Sequence, residues 1–218
     1  SFTLFPYTTL FRSGKVHTAN DTIPDIEANG GNIYTFGING AYIEDKNVVM
    51  AGRYRNGTGV YAYDADGNVL LNDISDRDSY YVYEGRGFAR VNRNNPQGEF
   101  VKAWYISAKG VTEIPKKILD AKAVYIDGKK KTYICTAEAI YDENGNAVVK
   151  PDDVHGEKIT GFENRDDGTN IMTVKTNNNE YKWWVKTNKV KNIPGTIINT
   201  FGNDYVLIKN GNTWFPNS

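Results

Sequence analysis

Two short segments carry the acidic side chains that could do chemistry. The first, residues 72–78, contains Asp73, Asp76 and Asp78. Two carboxylates at a fixed separation are what glycoside hydrolysis requires. A solvated loop between two hairpins accounts for the same residues, and this is the interpretation that we favour. On that interpretation, Asp76 and Asp78 serve as polar contacts for a ligand.

The second segment places two carboxylates, Asp152 and Asp153, close to His155. Such a combination suits acid–base catalysis or metal binding. The chain has only two histidines, His17 and His155, which excludes a site built from several histidines. We therefore predict no catalytic residue, no metal and no cofactor, and we assign Asp152 and His155 to ligand binding.

Aromatic side chains are more numerous than one face of each predicted strand can bury. Neighbouring residues on a strand point to opposite faces of the sheet, so two adjacent aromatic rings must lie on different faces. The rings in question are Tyr80, Tyr81, Tyr83, Trp104, Tyr105, Tyr181, Trp183 and Trp184. Either the second face is also buried, as between stacked sheets, or the outward rings stack on sugars or anchor a protein. We predict that Tyr80 is a stacking surface beside the acidic contacts.

Composition limits the class of partner. The 218 residues contain 26 Lys+Arg and 26 Asp+Glu, so the formal net charge is zero. The sequence also lacks a block of basic residues, which argues against nucleic acid as the main partner. The single cysteine, Cys135, excludes a disulfide framework. No apolar run approaches the roughly 20 residues of a membrane span. We predict a protein or carbohydrate ligand, no nucleic acid and no membrane span, with an extracellular or cell-envelope location.

The elements that must position these residues are short strands joined by tight turns. After Asn32, runs of Val, Ile, Tyr, Phe and Thr alternate with Gly, Asn and Asp clusters. Only residues 116–121 could form a turn or two of helix. An aromatic residue followed by a Gly or Asn turn recurs at intervals of 42, 36 and 43 residues, at Tyr63, Tyr105, Tyr141 and Trp184.

Four short strands in about 40 residues are typical of a β-propeller blade. We predict an all-β fold of repeated antiparallel four-strand units, forming a partial or small β-propeller, with a β-sandwich as the alternative. The units span 59–95, 100–136, 138–176 and 180–209, with strands beginning near Tyr61, Lys102, Ala139 and Trp183. Loops between the hairpins of successive blades should converge on one face.

These motifs resemble the WG-type and related bacterial β-repeats. Residues 141–145 carry an aromatic-Asp-x-x-Gly turn, and residues 84–91 carry the glycine-rich turn and Phe-Ala-x-Val strand of that repeat. The resemblance extends over residues 33–215. It implies a bacterial repeat module with a binding or scaffolding role, and it supplies no catalytic residues.

The first residues have a different character. Residues 3–13 resemble, residue for residue, a translated sequencing adapter. We predict that residues 1–13 are an artefact, that 14–31 are a linker or remnant, and that 32–218 form a single β-repeat domain.

The sequence favours a non-enzymatic binding module of a bacterial surface or secreted protein, truncated at its N-terminus. A propeller-type glycoside hydrolase or lyase fragment is one alternative, and a structural repeat from a phage or appendage is another.

Overall fold

The computed structural model describes residues 10–12, 15–17, 33–35, 50–54, 57–63, 68–85, 88–107, 109–164, 170–201, 205–208 and 213–216. These residues form short β-strands and one 3₁₀ helix, Pro151–Val154. Almost all of the strands lie in small antiparallel sheets of three or four strands. The predicted fold class is therefore confirmed: the chain is all-β, with repeated antiparallel four-strand units like those of a β-propeller.

The chain divides into two compact units, and the first comprises Ser1–Pro115. It contains a hairpin and two four-stranded sheets, each in sequential order. The hairpin joins β1 (Leu10–Arg12) to β2 (Lys15–His17). Sheet 1 consists of β3 (Ile33–Thr35), β4 (Met50–Tyr54), β5 (Gly59–Tyr63) and β6 (Val69–Ile74). Sheet 2 consists of β7 (Ser79–Gly85), β8 (Phe88–Asn94), β9 (Phe100–Ser107) and β10 (Gly110–Ile114).

The second unit, Lys116–Ser218, contains three sheets, again in sequential order. Sheet 3 consists of β11 (Ile118–Ile126), β12 (Lys129–Thr136), β13 (Ile140–Asp142) and β14 (Ala147–Val149). Sheet 4 consists of β15 (Ile159–Glu163), β16 (Ile171–Thr176), β17 (Glu180–Trp184) and β18 (Lys189–Asn192). Sheet 5 consists of β19 (Ile197–Phe201), β20 (Tyr205–Ile208) and β21 (Thr213–Pro216).

The predicted hairpins are present, but they group into sheets differently. The strands β5, β9, β13 and β17 begin within three residues of the predicted positions, and each pairs antiparallel with the strand that follows it. The predicted unit 59–95, however, contains the end of sheet 1 and the start of sheet 2. Strand β8 pairs with β9 through the turn 95–98, where Gly98 has a φ of 82°. The predicted inter-hairpin loops are consequently connections between sheets.

The turn of helix that the sequence allowed at residues 116–121 is replaced by the start of strand β11, which contains a β-bulge. In β11, Ile118 pairs with Thr136 and Asp120 with Cys135, so the register shifts by one residue. The bulge places Ile118 and Ala121 on buried positions three residues apart. That spacing resembles a helix in sequence although the backbone is extended.

Both faces of the central sheet of the second unit are buried. On one face of β17, Trp183 belongs to a core cluster shared by sheets 3 and 4, where its ring meets that of Tyr133 edge-on at a centroid distance of 4.8 Å. On the other face, Trp184 packs with Ile197 and Ile208 of sheet 5. The two indoles are 0% and 1% exposed. Sheets 3, 4 and 5 therefore stack consecutively, each supplying one side of a core.

Sheets 1 and 2 of the first unit stack in the same way. Val60 and Ala62 of β5 share a buried cluster with Val91, Trp104 and Ile106 of sheet 2. The adjacent Tyr105, on the opposite face of β9, is also buried. For most of the aromatic residues the second face is thus buried, as the stacked-sheet interpretation predicted.

Much of the N-terminal segment lies outside the described residues. Of the predicted artefact 1–13, only Leu10–Arg12 is described, pairing with Lys15–His17 of the predicted linker. The poor packing predicted for this segment, and its status as an artefact, stay predictions. The assignment of 32–218 to a single domain also stays a prediction.

Replacing Trp183 with alanine should lower the free energy of unfolding by about 3–5 kcal/mol, because a large cavity would open between two stacked sheets. Tyr125→Ala removes a ring that is 63% exposed in the same unit and is the matched control. Its effect should stay below about 0.5 kcal/mol. Urea unfolding followed by circular dichroism measures both, and equal midpoints for the two variants would contradict this packing.

Candidate functional site

The connection between β6 and β7 is a tightly held turn in the first unit. The backbone N–H of Ser75 donates to the carbonyl of Thr58 at 2.7 Å. The Ser75 hydroxyl oxygen accepts from the backbone N–H groups of Arg77 and Asp78, at 3.3 and 3.1 Å. These bonds present Asp76 to solvent and turn Asp78 towards sheet 2.

Arg93 of β8 joins the acidic residues around this turn. Its Nε donates to Asp78 Oδ2 at 2.6 Å and its Nη1 to Asp73 Oδ1 at 2.7 Å. The Tyr80 hydroxyl also donates to Asp73 Oδ1, at 2.5 Å. Tyr80 and Arg93 are direct cross-strand partners, which brings their side chains together. We call Asp73, Asp78, Tyr80 and Arg93 the arginine network.

The arginine network has a clear electrostatic effect on Tyr80. Burial raises the pKa of the Tyr80 phenol well above its usual value, and the hydrogen bond to the Asp73 carboxylate adds to the effect. The Arg93 guanidinium lies over the Tyr80 ring, 5.7 Å from its centroid. The phenol is therefore held neutral as a donor, and its ring is already covered.

The rings that remain accessible on β7 belong to the neighbours of Tyr80. Tyr81 and Tyr83 are 58% and 53% exposed and point to the opposite face from Tyr80. Opposite Tyr83 in the register is Arg90, whose guanidinium lies 4.3 Å from the centroid of the Tyr83 ring. The exposed aromatic surface of β7 thus consists of Tyr81 and Tyr83. Tyr80, which the sequence predicted as a stacking surface, is half-buried in the arginine network.

In the second unit, Asp152 and His155 lie at the 3₁₀ helix that connects sheets 3 and 4. The His155 backbone has a left-handed φ of 54°, and its N–H donates to the Asp152 carbonyl at 3.2 Å. His155 Nδ1 lies 3.2 Å from the hydroxyl of the buried Tyr181, which donates to the Val154 carbonyl at 3.3 Å. The Asp153 carboxylate accepts from the backbone N–H of Lys150 at 2.7 Å. This helix is therefore anchored to sheet 4.

Glu157 completes this cluster, and the sequence prediction did not include it. Its carboxylate accepts hydrogen bonds from the Thr176 hydroxyl and the Asn179 side-chain amide. The bond from Thr176 is the main cause that lowers the Glu157 pKa, and Asn179, Tyr181 and His155 act in the same direction. These bonds connect residue 157 to the β16–β17 turn, so the cluster has an evident structural role.

The structure thus brings together some of the predicted ligand contacts. Asp76 and Asp78 lie on the β6–β7 connection of the first unit, with Tyr80 at the start of β7, and Asp152 and His155 lie on one connection of the second unit. Their convergence on a single face stays a prediction, as does their role in binding. Arg93 was missed, because nothing in the sequence marks it as the partner of a residue 20 positions earlier.

No protein-family model and no curated protein matches this chain. Among solved structures it is similar to one described as the crystal structure of the WD40 domain of SCAP from fission yeast, with a TM-score of 0.33 and 9% sequence identity. The alignment covers 77% of this chain and 51% of that one, so the chain spans about half the length of its neighbour.

Within the described ranges, no group of three or more His, Cys, Asp or Glu side chains could hold a metal ion. The described part of the chain also includes no helix with the length and hydropathy of a membrane span.

Replacing Arg93 with leucine should cost about 2 kcal/mol of folding free energy, because two partly buried carboxylates would lose their shared cation. Lys102, an exposed cation opposite Arg93 on β9, provides the control Lys102→Leu. Adding Asp73→Asn and Asp78→Asn to the Arg93 variant should recover part of the loss. Chemical denaturation of all variants measures the coupling, and an Arg93 variant as stable as the control would refute it.

Stability should fall as the pH rises above about 10, where tyrosine ionises in the unfolded chain. The folded Tyr80 keeps its proton to a higher pH, so the unfolded state loses protons first and is favoured. At pH 8, Tyr80→Phe should be less stable than the wild type by about 1 kcal/mol, because it lacks the hydrogen bond to Asp73. Between pH 8 and 11 it should lose less stability than the wild type, because residue 80 no longer titrates. Tyr125→Phe serves as the control, and an unchanged alkaline slope in Tyr80→Phe would contradict the assignment.

Proposed function

We propose that this chain is a non-enzymatic interaction module that captures an extended segment of another protein along β7. The observation that carries the proposal is the pair of exposed rings, Tyr81 and Tyr83, on β7, which is an edge strand of sheet 2. They lie two residues apart on one face, about 7 Å along the strand.

The position of β7 supports a strand-like ligand. Within the described chain, β8 is the strand that pairs with β7, which leaves the other side of its backbone ladder open. An extended peptide can add to such an edge through main-chain hydrogen bonds, while its alternate side chains contact the exposed rings. The backbone would supply affinity, and the rings would supply selectivity.

The chemistry of the surrounding side chains supports a protein partner. Tyrosine and arginine are enriched among the residues that dominate binding energy at protein interfaces. Arg90, which lies against Tyr83, restricts the motion of that ring, so less entropy is lost on binding. The arginine network anchors the preceding turn and holds the start of β7 in place.

The same network favours binding over hydrolysis. The glycosidase alternative would use the carboxylates in and beside the β6–β7 connection. Asp73 and Asp78 are already engaged, because both bind Arg93 and Asp73 also accepts a hydrogen bond from Tyr80. A glycan that stacks on the Tyr81 and Tyr83 rings is the competing ligand.

We also propose that this module belongs to a bacterial surface or secreted protein, and this proposal rests on composition alone.

Selection of linear peptides from a phage-displayed library on the wild-type chain tests the proposal. For a selected peptide, Tyr81→Ala and Tyr83→Ala should each weaken the dissociation constant by at least about tenfold. Tyr125→Ala, which removes a comparably exposed ring elsewhere, should leave it unchanged. Thermal unfolding should confirm that all three variants are folded.

Backbone N-methylation of the peptide separates strand addition from simple ring contact. Two peptides are compared, one methylated at the odd-numbered backbone nitrogens and one at the even-numbered ones. Only alternate N–H groups face β7, so one of the two peptides should lose binding and the other should bind almost normally. Binding that survives in the Tyr81 and Tyr83 variants would overturn the proposal. So would a glycan array that gives tyrosine-dependent binding where the peptides give none.

A further inference from the structure

The second unit contains a small polar cleft that the proposed peptide surface does not involve. It has a volume of about 100 Å³ and opens beside the connection between sheets 4 and 5. Its polar lining includes Glu163, Asn164, Lys175, Glu180 and Thr196, and Ile171 and Ile197 provide an apolar wall.

The cleft arises where the face of sheet 4 changes from apolar to polar. Trp184 pairs with Ile171, and this row is covered by isoleucines of the connection and of sheet 5. The next row on the same face pairs Lys182 with Thr173. Sheet 5 covers the apolar row, and Thr173 of the polar row lines the floor of the cleft.

Lys182 makes that floor rigid. Its ammonium is fully buried and donates to the Gly195 carbonyl at 2.6 Å, to Thr173 Oγ1 at 3.2 Å and to Glu180 Oε2 at 3.5 Å. Glu180 Oε2 also accepts from the Gly195 backbone N–H at 3.0 Å. Burial lowers the Lys182 pKa, and Glu180 opposes that shift. The connection to sheet 5 is thereby tied to the strand that forms the floor.

Among the described residues, the charges that line the cleft or contact its lining balance. Glu163 and Glu180 face two ammonium groups, those of Lys175 and Lys182, and Lys175 Nζ lies 2.7 Å from Glu163 Oε1. An anion or a cation would have to disrupt one of these pairs to enter, at a cost in desolvation. A neutral ligand leaves both pairs intact.

The hydrogen-bonding groups left over suit hydroxyls. In the described part of the chain, one oxygen of each carboxylate, Glu163 Oε2 and Glu180 Oε1, has no donor. The Lys175 ammonium, the Asn164 amide and the Thr196 hydroxyl supply donors nearby. A sugar hydroxyl both donates and accepts, and the C–H face of a sugar ring can lie against the isoleucines.

We propose that this cleft binds one ring of a neutral sugar, presented at the end of a glycan. The carboxylate oxygens accept from vicinal hydroxyls, and Lys175 and Thr196 donate to them. The small volume admits part of one ring, so affinity for a monosaccharide is weak and selectivity lies in the arrangement of its hydroxyls. This site goes beyond the proposed peptide capture and lies in a different unit.

Nuclear magnetic resonance titration of the isotope-labelled wild-type chain tests the site. The probes are glucose, galactose, mannose and N-acetylglucosamine, with glucuronate and glucosamine as charged comparators. At least one neutral sugar should shift the amide signals of Lys175, Gly195 and Thr196 saturably. Glu163→Gln and Lys175→Met should each weaken that binding by about tenfold, because the first replaces a carboxylate acceptor with a weaker, neutral amide and the second removes a donor.

The matched control is another exposed ion pair of this unit, Lys116–Glu138, at 3.1 Å. Glu138→Gln breaks an equivalent surface pair away from the cleft and should leave binding unchanged. The Tyr81→Ala and Tyr83→Ala variants should also bind sugar normally, which separates this site from the peptide surface. The proposal is overturned if no neutral sugar gives saturable shifts, if a charged comparator binds more tightly, or if Glu138→Gln weakens binding as much as Glu163→Gln.

Discussion

Each small sheet of this protein has two faces, and neither face can form a core by itself. The constraint is clearest at β17, where Trp183 and Trp184 point in opposite directions and are both buried. One indole completes the core with sheet 3 and the other with sheet 5. A sheet of four short strands is stable only when neighbours cover it, so consecutive stacking follows from the aromatic content of the strands.

Stacking leaves little room for polar groups, and those that are buried require partners. Lys182 follows Tyr181 and precedes Trp183 on β17. Its ammonium donates to three acceptors, one of which is the Gly195 carbonyl in the connection between sheets 4 and 5. Arg93 performs the corresponding task in the first unit for two carboxylates. In both cases a cation that is partly or fully buried ties an inter-sheet connection to a strand. The two binding surfaces that we propose lie at the edge strand β7 and beside sheet 5.

Much of the strand pattern could be predicted from the sequence, because turn chemistry is local. The Gly and Asn turns after Tyr63, Tyr105 and Tyr141 identified hairpins that the structure contains. The grouping of hairpins into sheets was not predictable, since neighbouring hairpins carry the same alternation and either could pair. The bulge in β11 was equally hidden, because one inserted residue imitates helical spacing. The candidate site divided similarly: the sequence singled out Asp78 and Tyr80, whose part in binding stays a prediction, but it did not single out Arg93.

The sequence alone therefore determined the class of fold, the positions of most turns and the short-range clustering of acidic and aromatic residues. These properties depend on backbone preferences and on neighbours within a few positions. The tertiary structure decided which rings are buried, since Tyr80, Tyr81 and Tyr83 share one strand and differ only in what covers each face. It also decided which charges meet, because Arg93 and Asp73 become neighbours only when two sheets are joined. Pairing at long range depends on register and stacking, and no local pattern encodes it.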